Sequence, residues 1–101
     1  MKGDVKASLW VNKISVDLNA FVEEFLGRTV VGAVSALKGT EHLEKLELRL
    51  DRGDLSIAVN GKDIELTPFP KQIITNTVGA LVSSLKGVDK IDCLKITAQV
   101  S

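Results

Sequence analysis

One cysteine, one histidine and two prolines in 101 residues leave few groups for the chemistry that usually marks a site. Cys93 has no second cysteine to pair with, so no internal disulfide staples the fold, and a reducing, cytoplasmic setting is the expectation. A catalytic role for its thiol is not indicated, since no Lys, Arg or helix start is placed by sequence to activate it decisively, although Lys95 shares its face. His42 lacks a neighbouring cysteine or a second histidine, so it reads as a solvated loop residue and no metal site is expected. Net charge is absent too. Thirteen basic residues balance thirteen acidic ones, which removes the usual electrostatic argument for nucleic acid or an anionic membrane. No apolar run is long enough to span a bilayer, and the opening MKGDVKASLWVNK has charges and a glycine where a signal peptide needs an apolar stretch. There is no glycine-rich phosphate loop and no acid–base or nucleophile–base set, so neither a cofactor nor a catalytic residue is assigned. Arg52-Gly53-Asp54 spells an adhesion tripeptide, but between two strands it reads as turn chemistry.

What the chain does have is repetition. Residues 29–39, TVVGAVSALKG, return at 77–87 as TVGALVSSLKG, and a shift of 48 places Val34-Ser35 on Val82-Ser83 and Leu37-Lys38-Gly39 on Leu85-Lys86-Gly87. Each copy reads as the last turns of a helix stopped by Lys-Gly, because glycine accepts a left-handed conformation and lysine meets the negative end of the dipole. The register holds without a gap from Ser8/Ser56 to Leu46/Leu94, through the identical pairs Val11/Val59, Asn12/Asn60, Leu18/Leu66, Phe21/Phe69 and Thr29/Thr77.

Within each half the patterning changes period. Over 5–12, Val5, Ala7, Leu9 and Val11 alternate with Lys6, Ser8, Trp10 and Asn12, as in a half-buried strand. A turn at Asn12-Lys13 leads to a return strand with Ile14, Val16 and Leu18 inward. Asn19 then caps a helix over about 20–38, with Glu23 and Glu24 outside near its positive end. Its inward arc is Phe21, Val22, Phe25, Leu26, Thr29, Val30, Ala33, Ala36 and Leu37, and Val31 and Val34 fall awkwardly in the polar arc. A third strand, 43–51, turns inward Leu46, Leu48 and Leu50. The second half repeats this. Leu55, Ile57 and Val59 are followed by an Asn60-Gly61 hairpin, then by Ile64 and Leu66. Thr67 caps a helix with Pro68 at its first position and Phe69, Ile73, Ile74, Thr77, Val78, Leu81 and Leu85 inward, and a last strand covers about 91–100.

The expectation is a single α+β domain over 1–101, made of two strand–strand–helix–strand units at about 5–52 and 53–100, with six mostly antiparallel strands and both helices on one face. The third and fourth strands should pair directly, because the loop between them is short. A two-fold axis through the sheet centre is hard to reconcile with that, so strand order stays open. The helices are expected to meet through the edge carrying Val30 and Val34, matched by Val78 and Val82, with Gly27 allowing close approach.

Function is read from the outer sheet face, where Trp10 is the one large aromatic and its repeat mate is Ala58. Tryptophan is enriched at binding hot spots, so Trp10, with Lys45, Arg49 and Lys95 around it, is the candidate partner-binding set. One aromatic among mixed charges does not make a sheet that stacks single-stranded RNA. The resulting reading is a small cytoplasmic, non-enzymatic interaction or assembly domain, self-associating or binding a protein partner through this face. The alternative is a small-ligand binder or enzyme with a site in the cleft between the two repeats, marked by Asp17, Glu65 or Cys93 at its mouth.

Overall fold

The computed structural model describes residues 4–38, 40–85, 87–88 and 90–100. In chain order the elements are β1 (Val5–Val11), β2 (Ile14–Val16), α1 (Ala20–Ser35), β3 (Lys45–Asp51), β4 (Asp54–Val59), β5 (Lys62–Asp63), α2 (Pro68–Ser83) and β6 (Cys93–Val100). All six strands form one antiparallel sheet in the order β2-β1-β6-β3-β4-β5, and both helices lie over one face of it. The α+β architecture expected from the alternation is the one observed.

Strand order follows from β6. β3 pairs with β4 on one side, as the short Arg52-Gly53 turn requires, and with β6 on the other. Direct pairing of the third and fourth strands is therefore compatible with a central pair drawn from both halves, which the sequence reading had set in opposition. Leu48 faces Ile96 across that centre, a pair separated by 48 residues. The flanking registers share the offset: Leu46↔Val59 and Leu48↔Ile57 in β3·β4 correspond to Leu94↔Val11 and Ile96↔Leu9 in β6·β1.

The two hairpin asparagines lock these pairs. Asn12 and Asn60 have φ of 52° and 53°, in the left-handed region that asparagine tolerates. Asn12 Oδ1 accepts from the N–H groups of Asp92 and Cys93, and its Nδ2 donates to the Lys90 carbonyl at 2.8 Å. Asn60 does the same for Glu44 and Lys45, and donates to the His42 carbonyl at 3.0 Å. Each asparagine thus ties its own turn to the approach of a strand from the other half.

The helices bury a different face from the one the periodicity suggested. Leu26, Gly27, Val30 and Val34 of α1 and Ile74, Val78 and Val82 of α2 pack on Leu9, Leu48, Ile57 and Ile96 of the sheet. At 100° per residue, Phe21 and Phe25 lie opposite this face, and both are exposed, as are Phe69, Ile73, Thr77 and Ala36. Val34, placed by periodicity among the polar positions, is fully buried. The valine edge expected to join the two helices is buried, and α1 and α2 touch, while α1 also packs closely on β1. Gly27 serves the same contact: a Cβ there would lie 2.4 Å from Val5 Cγ1, so the close approach is between α1 and β1. Glu23 also turns toward β1, where its carboxylate accepts from the Ala7 N–H at 3.0 Å, a donor beyond the reach of the short β2 ladder.

Element ends differ by a few residues. Asn19 caps α1 as expected, accepting from the Val22 N–H at 2.8 Å, whereas the Thr67 side chain makes no such bond. α1 ends at Ser35 and α2 at Ser83, each three or more residues before its Lys-Gly pair is complete. Gly87 does adopt φ of 81°, within the following turn; Gly39 and Lys86 lie outside the described residues. After α1 the chain is held by Thr40, whose buried hydroxyl donates to the Leu37 carbonyl at 2.8 Å. On the outer edges, β2 and β5 are only three and two residues long, and Ile14 is 69% exposed rather than inward. Short edges of this kind discourage strand-to-strand aggregation.

Candidate interaction surface

The face of the sheet opposite the helices is bare, and strand registers decide which side chains meet on it. Trp10 of β1 stands opposite Lys95 of β6, and Lys95 stands opposite Arg49 of β3, giving one row across three adjacent strands. Lys95 Nζ lies 4.8 Å from the centre of the Trp10 ring, within cation–π range. This contact leaves the indole half-buried, with its remaining surface open. Arg49 is ion-paired with Glu47, two residues along the same strand. The row ends in small polar groups, Ser15 beside Trp10 and Ser56 beside Arg49.

Three of the four residues expected to bind a partner are therefore brought together. Lys45 is not: it begins β3 and faces Gln99, four residues along the strand from Arg49. Its backbone N–H is held by Asn60, so its place is at the far end of the face.

Beyond the row, the β1–β2 turn and the approach to β6 raise the rim of a depression of about 760 Å³. Four cations line it, Lys13, Arg49, Arg52 and Lys95, against Asp51 and Asp92. Cys93 is at its wall, as a free and half-buried thiol. Asp17 and Glu65 do not line it and both are exposed. Among the described residues no cluster of His, Cys, Asp or Glu is arranged to hold a metal ion. His42 is an exposed turn residue with φ of 63°, its carbonyl used by Asn60. The Arg52-Gly53-Asp54 segment is the β3–β4 turn, with φ of 52° and 84° at its first two residues, and Asp54 pairs with Lys71 at 3.0 Å.

A second surface was missed by sequence reasoning, the outside of the helix layer. Phe21 and Phe25 stack at 5.9 Å between ring centres, and Phe69 and Ile73 occupy the corresponding positions of α2. An apolar groove of about 180 Å³ runs beside them, between Phe21 and Phe25 on one helix and Leu81 and Leu85 at the end of the other. The signal was present in the sequence. An arc of nine positions, eight of them apolar, is too broad for one face of a helix, and the valines that did not fit marked a second stripe.

Comparison of the chain with family models, with curated proteins and with solved structures finds no match, so its function is argued from geometry. Among the described residues no helix is long and apolar enough to cross a membrane.

Proposed function

We propose that this protein is a non-enzymatic interaction domain that takes a protein partner on its bare sheet face, with Trp10 as the anchor. The observation that carries this reading is the row Trp10–Lys95–Arg49: a large aromatic held in place by a cation, on an uncovered sheet, with polar groups around it. An aromatic already fixed by a neighbour loses little freedom on docking, and a central apolar anchor within a polar rim is the usual anatomy of a binding patch. Ion-paired Arg49 and the small serines at the row's ends supply the rim.

Trp10 is the only tryptophan, so its emission reports directly on occupancy of this face. Photo-crosslinking from a residue placed at Thr97 would identify the partner, and titration followed by fluorescence would give its affinity. Trp10→Ala should weaken that complex by about 2 kcal/mol, the scale of a hot-spot residue. An affinity unchanged by Trp10→Ala would remove the sheet face as the binding surface.

The depression beside Trp10 favours one second reading, a small-ligand site. Its excess of cations over acids suits an anionic molecule with a ring to lay against the indole. Native mass spectrometry of the purified protein separates the two readings, because a retained small anion appears as a fixed mass increment and a protein partner does not.

A further inference from the structure

We infer that a second copy of this chain docks on the outside of the helix layer, through Phe21, Phe25, Phe69 and Ile73. The inference concerns a different surface from the proposed partner site and stands independently of it.

Exposure comes first. Phe21 is 74% exposed and Phe69 71%, Phe25 51% and Ile73 46%, so four large apolar side chains stand in water at corresponding positions of the two helices. Taking ~200 Å² for a large side chain in the open, they present about 500 Å² of apolar surface. It lies in two pairs rather than one patch, since Phe21 and Phe25 sit beside the end of α2 and Phe69 and Ile73 at its start, but together the pairs make more than half of the ~800 Å² each partner contributes to a standard interface. Neighbouring helix surface supplies the remainder.

Charge comes second. A helix that faces water normally carries charges on its outer side. Lys71 is the only charged residue of α2, and it is paired with Asp54 at 3.0 Å. On α1, Glu24 pairs with Arg28 at 2.8 Å and Glu23 is bonded to the β1 backbone. The remaining exposed residues of α2 are Gln72, Asn76, Thr77, Ala80 and Ser83, along with Pro68. Such a surface docks without stripping water from a lone charge. It also lacks the basic polar face with which amphipathic helices hold anionic lipid, which argues for protein rather than membrane as the occupant.

Shape identifies the protein as a copy. Each outward stripe is bulky at its start and small at its end: Phe21 and Phe25 are followed, past Arg28, by Gly32 and Ala36, and Phe69 and Ile73, past Asn76, by Ala80 and Ser84. A Cβ on Gly32 would meet nothing within 4 Å, so the space above it is open. A closed dimer must use a self-complementary patch. Antiparallel docking of these stripes across a two-fold axis sets the phenylalanines of one copy over the glycine and alanines of the other.

Sedimentation equilibrium on the full chain from about 1 to 100 μM, the range bracketing a modest homodimer, tests this. The expected mass is twice 10.9 kDa at the upper end. Phe21→Glu and Phe69→Glu should each raise the dissociation constant at least ~30-fold, the size of a hot-spot loss. Both positions are exposed, so circular dichroism and urea midpoints should confirm that the variants fold. Trp10→Ala should leave the dimer intact. A wild-type chain that stays monomeric throughout, or that is monomeric but sediments with phosphatidylcholine–phosphatidylserine vesicles, overturns the inference. So does a dimer lost in Trp10→Ala and kept in Phe21→Glu, which would place self-association on the sheet.

Discussion

Replacing Gly27 by alanine sets two effects of similar size against each other, and the structure decides which wins. Alanine in place of glycine inside a helix is favourable by about 1 kcal/mol, because glycine gives up more backbone freedom on folding. Gly79 of α2 shows that gain undisturbed, since a Cβ there meets nothing within 4 Å. At Gly27 the same Cβ would lie 2.4 Å from Val5 Cγ1 and 3.3 Å from Ala7 Cβ. Rotating Val5 relieves the first contact, at ~0.5–1.5 kcal/mol if the new χ1 is off its well. It does nothing for the second, because Ala7 Cβ moves only with the strand, and β1 is pinned by its pairing with β6. Overpacking of this kind costs about 1–3 kcal/mol. Gly27→Ala should therefore unfold in urea with a stability roughly 1–3 kcal/mol below Gly79→Ala, equivalent to a melting point lower by ~4–8 °C for each kcal/mol. In a Val5→Ala background the penalty of Gly27→Ala should shrink, giving a coupling energy on the order of 1 kcal/mol. If Gly27→Ala matched Gly79→Ala in stability, the packing of α1 on β1 described above would be wrong.

Val34→Asp should cost more than 3 kcal/mol or prevent folding, because Val34 is fully buried in the core and an aspartate there has no partner; thermal denaturation within a degree or two of wild type would show that this face of α1 meets water. Asn60→Gly keeps the left-handed turn and removes the bonds to Glu44, Lys45 and His42, so it should lose about 1–2 kcal/mol, whereas Asn60→Ala should lose roughly 1 kcal/mol more from backbone strain. Equal urea midpoints for the two variants would remove the strain argument, and a wild-type midpoint for Asn60→Gly would remove the latch.

Strands were legible in the sequence because alternation with period 2 has only two solutions, and one of them buried Leu46, Leu48 and Leu50. The helices were harder for the opposite reason. α1 and α2 carry apolar residues on two faces, and periodicity alone cannot say which face meets a sheet. Size tempts one to put Phe21 and Phe69 inside, but valines and isoleucine at Val30, Val34, Ile74, Val78 and Val82 fit the shallow space above a pleated sheet, and Gly27 lets α1 come close. Helix ends were misplaced because Lys-Gly is a good stop only where the chain is still helical when it arrives. The row Trp10–Lys95–Arg49 needed strand order, which no local pattern contains. Once β6 is known to enter between β1 and β3, three residues from 10 to 95 become neighbours.

The two surfaces differ in a way that bears on what each can bind. On the helix layer, positions 48 apart hold like residues, Phe21 with Phe69 and Phe25 with Ile73, and their exposures agree within five percentage points. On the sheet face the same shift pairs Trp10 with Ala58, Lys95 with Glu47 and Arg49 with Thr97. One face is alike under exchange of the halves and the other is not. A surface that repeats itself presents the same features to a copy arriving in either sense, which suits self-association. A surface whose one large aromatic has no counterpart in the other half suits a partner that is not a copy, because specificity requires that only one approach be good. The two proposals are then compatible in one molecule. Docking of copies through the helices leaves both sheets outward, so each dimer carries two Trp10 sites, and a partner with two epitopes within reach would gain avidity without a new contact. The double variant Phe21→Glu, Phe69→Glu should lose that gain while keeping the single-site affinity read from Trp10 emission.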